Sequence, residues 1–562
     1  MCRRRQPTGQ QGLALDNSTI NTWDVTCLII NKMIGCGIFI FPPLVARLVG
    51  NKMVAMMIWI FGSLYPFCSI YIYLGYGDVW PFNGGELIYV ARTLTRPPII
   101  SMCLFAWFFV AFSPPAGTSL AFAQFIVPAK AEHPDPWFVR YIATLLIVVI
   151  SFISYRCPAF IIWANRILGT AKVLLIVLLV FVGAVGYTFQ RYVVPEFPEL
   201  PKTFEKEGST LDIALAILLV LYCYSGWENA NYVASEIYGG RDTHTNEFSE
   251  LRIRNLRKGA LLGVSVVSLA YCCLNLFMLA ILEIESISDK ERLMAVKSLP
   301  TGLLPPTCSW VSFAISIFIA LSAMGSVIGV TFTNSRVIRQ IAKEKLLPKY
   351  DIFQGSSEYG ISAWDGNGTP SGALFLHGAL TCVAILLTPI RPGFPEGLFF
   401  TTCLFFFGHS MLCKNGESSG LPRPGNSEEQ PLICEFSGHA SIRPCVQPQI
   451  SPWNFLRLLW TWFAVVLFTS SHLFIVIMLC FCTKTPDGTP RRTRIEFLPI
   501  IVLLVCSLGL LYGIYILLVS WDFHFENPIN PNNLEGRVTK HRQGWKFKYP
   551  MVFFISASNR RG

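Results

Sequence analysis

Gly35, Cys36 and Gly37 interrupt an apolar run from Thr26 to Val49, and Ser225, Gly226, Trp227, Glu228 and Asn229 interrupt a second run from Leu211 to Ile237. Small and polar residues in mid-run predict backbone that leaves the helix. Its freed N–H and C=O groups then need protein, water or a bound solute as partners. Around Ile34-Gly35-Cys36-Gly37, glycines would release the chain without Cβ strain. Successive N–H groups would form a nest for a carboxylate at the positive end of the following helix. Close helix packing through small residues accounts for Gly-x-Gly equally well.

The second break is more specific, because Glu228, Asn229 and Asn231 follow a long apolar stretch and are expensive there without partners. Carbonyls freed at Tyr224, Ser225 and Gly226 would accept from the ammonium of a zwitterion, and Tyr224 or Trp227 would close over its side chain. The alternative is that Glu228 and the asparagines cap the broken ends and bridge helices without touching solute. Lys172 sits near the start of a further apolar run. It either snorkels to the interface or points inward as a fixed positive charge. His377 and His409 fall in apolar segments and read as packing residues. Pro114-Pro115 predict a kink. No metal-ligand spacing and no phosphate-cradling Gly-Lys-Ser/Thr sequence is present, so no metal or cofactor is expected and ATP-driven pumping has no support.

These residues need long apolar elements to hold them, and the composition supplies them. The 562 residues are 52% apolar and 14% charged, well below the roughly 25% charged residues of soluble domains. The net charge of +11 is spread over segments between apolar runs, which suits anionic lipid rather than nucleic acid. The 18 cysteines lie mostly in apolar runs and read as small buried hydrophobes.

At about 20 residues per crossing, twelve spans are expected, near 25–47, 53–77, 99–127, 138–155, 166–188, 211–235, 259–282, 309–335, 371–390, 395–413, 457–482 and 496–520. Arg92, Arg96, Arg156, Arg166, Arg252, Arg254, Arg257, Lys258, Arg336, Arg339 and Lys343 fall on one side of this arrangement. The positive-inside pattern puts both termini in the cytosol. The basic loop at Lys484, Arg491, Arg492 and Arg494 breaks that pattern, and the short tenth span is the weakest of the twelve. The expected organisation is a cytosolic tail at 1–24, a ten-helix core at 25–413, and a Pro/Ser-rich loop at 414–455. Two last helices at 456–520 and a basic cytosolic tail at 521–562 complete it. The sequons at Asn17 and Asn367 fall on the cytosolic side, where glycosylation is not expected.

Asn31-Lys32-Met33-Ile34-Gly35-Cys36-Gly37-Ile38-Phe39, Pro81-Phe82-Asn83-Gly84-Gly85-Glu86, Ser225-Gly226-Trp227-Glu228-Asn229-Ala230-Asn231-Tyr232, then Asn334-Ser335-Arg336 and Leu347-Pro348 follow in order. As a set they resemble the amino acid-polyamine-organocation transporters, closest to the fungal methionine permeases and L-type amino acid transporters. The likeness covers roughly residues 20–400. It implies an all-α membrane protein with a five-plus-five inverted repeat, discontinuous helices 1 and 6, and two extra helices. It further implies secondary transport of a neutral L-amino acid, methionine or a similar apolar or sulfur-containing substrate, across the plasma membrane. By the same likeness Ile34 to Gly37 hold the carboxylate, Tyr224 to Trp227 and Asn229 form the sixth-helix wall, and Lys172 replaces a sodium ion. A charge at that place favours proton over sodium symport, with Glu228 as a carboxylate to load. An exchanger or a non-transporting amino acid sensor are the competing readings. Cys36 departs from the small or hydroxyl residue usual in the family. The 414–455 stretch replaces the usual ending of the tenth helix.

Overall fold

The computed structural model describes residues 20–93, 98–127, 135–193, 210–238, 250–281, 309–354, 370–388 and 507–515, together with 460, 463, 466–467, 524–525, 537–541 and 544–548. The first broken element is α1 (Thr22–Met33) and α2 (Gly37–Val49). Asn21 and Asp24 close a reciprocal capping box at the start of α1, each side chain accepting from the other's amide at 3.0 Å. Gly50, left-handed at φ +73°, ends α2. The two helices bend by 43° across Ile34-Gly35-Cys36.

Asn51 caps α3 (Lys52–Gly62), which continues with a small offset into α4 (Leu64–Val79). A glycine turn leads to the short α5 (Glu86–Thr93). Then come α6 (Pro98–Phe112) and α7 (Ala116–Ile126), parted at Ser113-Pro114-Pro115. The expected kink is a full break, because neither proline has an N–H to give and each ring crowds the preceding turn. Asp135 caps α8 (Pro136–Arg156), followed by α9 (Pro158–Val193). The sixth span is α10 (Thr210–Cys223), an irregular turn, and a 3-10 segment from Trp227 to Glu236. Beyond it lie α11 (Glu250–Ile281), α12 (Ser309–Lys343), α13 (Tyr350–Gln354) and α14 (Ser371–Leu387).

Among the described residues, seven helical stretches and the bent α1/α2 pair are long and apolar enough to cross a membrane. The first nine expected spans coincide with described helices, α14 being the shortest. The tenth span and His409 lie outside the described residues, as do most of the last two spans, the 414–455 loop, both sequons and the basic loop at 484–494. Helices α9, α11 and α12 outrun their expected spans. At 1.5 Å per residue a helix of 36 or 35 residues reaches past a hydrocarbon core of about 30 Å. Arg252 to Lys258 and Arg336 to Lys343 are helical residues at the ends of α11 and α12. The tail carries a feature the sequence analysis did not expect: a small sheet of β1 (His524–Phe525), β2 (Arg537–His541) and β3 (Gly544–Lys548) in the order β1-β3-β2, with β2 and β3 antiparallel.

α1 and the 3-10 segment occupy the centre, buried on nearly every face, whereas α8 and α9 turn Phe152, Trp163, Leu174 and Phe181 outward. At the basic end the two central elements are tied by a backbone bridge between Ile20 and Ile237. Ion pairs Asp24–Arg166 and Glu236–Arg336 sit beside it. The glycine turn before α5 is shaped by one contact. Gly84 and Gly85 have φ of +115° and +50°, and a Cβ on Gly85 would stand 2.6 Å from the Tyr232 ring. Gly85→Ala is expected to cost about 1–3 kcal/mol from overpacking, with a further backbone penalty, and to lower thermal stability measured on the purified protein.

Candidate functional site

The break in the first span leaves the last carbonyls of α1 without helical partners, and side chains from three other helices take them. The Lys172 ammonium, on α9, donates to Asn31 O at 2.9 Å, Ile34 O at 2.5 Å and Ser326 Oγ at 3.1 Å. Ser326 donates to Asn31 O at 2.5 Å, Ser322 to Ile34 O and Gly35 O at 3.1 Å each, and Tyr271 to Met33 O at 2.6 Å. Lys172 is buried and points inward, so the snorkelling alternative does not hold. Its position along α9 is deep rather than terminal, because the helix starts at Pro158, eight residues before the span expected from hydropathy. Its charge sits at the negative end of the α1 dipole.

α2 begins at Gly37, with Cys36 as a cap residue that makes no side-chain cap bond. Neither Gly35 nor Gly37 has a positive φ. The expectation that they relieve backbone strain is therefore corrected. Space favours glycine at Gly37, where a Cβ would meet Cys223 Sγ at 3.1 Å, whereas one on Gly35 would make an ordinary contact with Ser326 Oγ at 3.6 Å. Strain relief belongs to Gly226, at φ +123°, where a Cβ would meet Lys32 Cγ at 3.0 Å and the Met33 amide nitrogen at 3.1 Å.

Between the two breaks lies a cavity of about 110 Å³. Gly35, Cys36 and Gly37 border it from the first span, Tyr222, Cys223 and Ser225 from the sixth. Ser113, Pro114 and Pro115 at the α6/α7 break form a third side, and Asn334 of α12 fixes that break by donating to Ser113 O at 3.1 Å. Phe109, Phe112 and Tyr232 supply an aromatic face, with Met33, Cys36 and Cys223 adding polarizable sulfur.

Of the residues singled out in the sequence, Gly35, Cys36, Gly37 and Ser225 border the cavity. Ile34 lies beside it and turns its carbonyl to Lys172 and Ser322. Tyr224 and Trp227 face away. The Tyr224 hydroxyl donates to Trp59 O at 3.1 Å and its ring packs on Tyr271, while Trp227 packs edge-on against Tyr73 with ring centroids 4.5 Å apart. The aromatic side chains that border the cavity are instead Phe109, Phe112, Tyr222 and Tyr232. The positive φ of Gly226 redirects the chain, and the 3-10 geometry sets side chains at 120° intervals rather than 100°. Asn229 bridges helices, donating to Leu28 O at 3.0 Å and accepting from Thr333 at 2.7 Å. Glu228 takes the Gly226 amide at 3.1 Å and pairs with Lys32 at 2.7 Å.

Lys32 was missed as a site residue. It borders the cavity, and its ammonium stands 5.0 Å from the centre of the Tyr232 ring. A lysine eight residues into an apolar span is the signal that pointed to it.

A family model described as amino acid permease matches residues 20–534. The chain belongs to that family. It is 26% identical over 376 residues to the low-affinity methionine permease of Saccharomyces cerevisiae, covering 66% of this chain and 64% of that protein. It is 23% identical over 331 residues to Asc-type amino acid transporter 1 of Mus musculus, covering 58% of each chain. The chain thus spans less than two thirds of the length of these relatives. Among solved structures, a mutant manganese transporter of Eremococcus coleocola superposes with a TM-score of 0.53 at 11% identity, covering 90% of this chain and 96% of that one. That likeness shows a shared fold. The permease is an integral membrane protein of that fold, with discontinuous first and sixth spans.

Proposed function

We propose that this permease carries a neutral L-amino acid with an apolar or sulfur-containing side chain, methionine or a close analogue, across the plasma membrane in symport with protons. The observation that carries this reading is one cavity bordered at once by the start of α2 and the end of α10. The first offers N–H groups and a positive dipole end to a carboxylate, the second offers carbonyls and the Ser225 hydroxyl to an ammonium. A zwitterion matches both. The aromatic and sulfur-bearing wall suits an apolar side chain, and relatives that include a methionine permease support the substrate class.

Lys172 bears on the coupling ion. Its ammonium fills the set of carbonyl and hydroxyl oxygens at the end of α1, a place that would otherwise suit a monovalent cation. A fixed charge there repels sodium. The basic start of α11 supports an orientation, since Thr22 at the start of α1 donates to Asn255 of α11 at 3.0 Å. Under the positive-inside pattern that end, with the N-terminus, faces the cytosol in this reading.

Uptake of labelled methionine, leucine and arginine into vesicles containing purified full-length protein tests the proposal. Saturable methionine and leucine uptake driven by an inward proton gradient is expected. Uptake driven by a sodium gradient at constant pH would reject the coupling. Uptake that depends on internal amino acid and ignores the pH gradient would mark an exchanger, and saturable binding without flux a sensor.

A further inference from the structure

We propose that Glu86 is the carboxyl that takes up the co-transported proton, with the Tyr232 hydroxyl joining it to the cavity. The inference rests on the proposed symport and names a group outside the broken helices as its proton site. Glu86 opens α5, and its side chain is buried beneath the sixth-span segment, 4% exposed. Its Oε1 accepts from Tyr73 at 2.8 Å and from Tyr232 at 3.3 Å. Tyr232 borders the cavity. One tyrosine side chain therefore separates the carboxyl from the space the solute would fill.

The charges around Glu86 favour a proton on it. Glu228 and Lys32 are the charged side chains whose fields act on it, and these two are already joined at 2.7 Å. Glu228 also holds the Gly226 amide, so it is set up as the anion of an ion pair. Glu86 receives two neutral phenols instead, and a second carboxylate beside Glu228 is costly in a buried place. Other titratable groups nearby are engaged elsewhere. The Tyr89 hydroxyl accepts from Asn231, Asp78 at the end of α4 pairs with Arg257, and Glu344, just past α12, accepts from Gln340. α6, packed along α5, carries Cys103 as its one titratable side chain. Burial first, and Glu228 second, push the Glu86 carboxyl up to about 7, against the lowering effect of its hydrogen bonds and of Lys32. Solute drawn to Lys32 or Tyr232 would shift this balance, and protonation would in turn favour solute, since such coupling is reciprocal.

The test is methionine binding to the purified full-length protein from about pH 5.5 to about 8.5, with proton uptake on methionine addition followed by an indicator dye in weak buffer. Wild-type affinity is expected to fall as pH rises through about 7, approaching tenfold per pH unit, with protons taken up on binding. E86Q is expected to bind with a flat pH profile and without proton uptake, and E86D to recover the slope. Y232F removes a donor to the anionic form and should move the slope to higher pH. E86Q that keeps the wild-type slope overturns the inference, and so does an unmoved midpoint in Y232F should E86Q not fold. Saturable wild-type binding with no pH dependence overturns it while leaving the binding site intact. Absence of methionine binding by folded wild-type protein at every pH removes the proposed function itself.

Discussion

Lys172→Met is expected to give a folded, membrane-inserted protein that binds methionine at least ~10-fold more weakly and has lost uptake. Folding should survive because every carbonyl that Lys172 serves keeps another donor. Asn31 O retains Ser326, and Ile34 O retains Ser322 and Ser326. What is lost is the buried ammonium, which holds the end of α1 at a fixed distance from α12 and opposes its dipole. A hydrogen bond to a charged group contributes roughly 1.5–3 kcal/mol, which corresponds to about 10–150-fold in affinity if the turn loosens by one such contact. Packing around the lysine is close: a Cβ on Gly325 would lie 3.1 Å from Lys172 Cε. The bulkier guanidinium of Lys172→Arg should therefore fail to substitute. Equilibrium binding and size-exclusion profiles of both variants decide the matter. Wild-type affinity in Lys172→Met would show that the ammonium has no part in shaping the site.

Gly226→Ala should damage folding and binding together. Its φ of +123° lies where L side chains are strained, and the added Cβ has backbone as a neighbour, the Met33 nitrogen at 3.1 Å. Strain of about 1–3 kcal/mol and overpacking of about 1–3 kcal/mol act on the junction where α1 meets the sixth span. Low yield of folded protein, loss of methionine binding and a reduced midpoint of thermal unfolding are expected together. Gly35→Ala has negative φ and one ordinary contact, with Ser326 Oγ at 3.6 Å, so it should fold as the wild type does. If Gly226→Ala were as stable as Gly35→Ala, the strained turn would not be what positions the two spans.

Most of the architecture was legible because hydrocarbon is an unforgiving solvent. A chain must present some 20 apolar residues in a row to cross it, and nine such stretches correspond to described helices. The second break was legible for the same reason, since polar residues inside an apolar run are costly without partners, whereas Gly-x-Gly at the first fits close helix packing equally well. The helix ends were less so. Hydropathy leaves Arg252 and Arg336 open between loop and helix end, and they prolong α11 and α12 as helix with Ile237 O and Glu236 as partners.

The sequence by itself determined that the chain spans a membrane with two broken helices, that Lys172 was either at the interface or inside, and that Glu228 needed a partner. Only the tertiary structure decided which side chains face the cavity. Rotation of the 3-10 segment depends on Gly226 and on Asn229 reaching α1 and α12, contacts made between residues about 200 and 100 positions apart. That rotation turns Trp227 toward α4 and brings Tyr232 to the cavity and to Glu86. Apolar runs record the solvent around a helix residue by residue, whereas the direction of one side chain at a break is fixed by partners on other helices, and neither composition nor spacing carries that information.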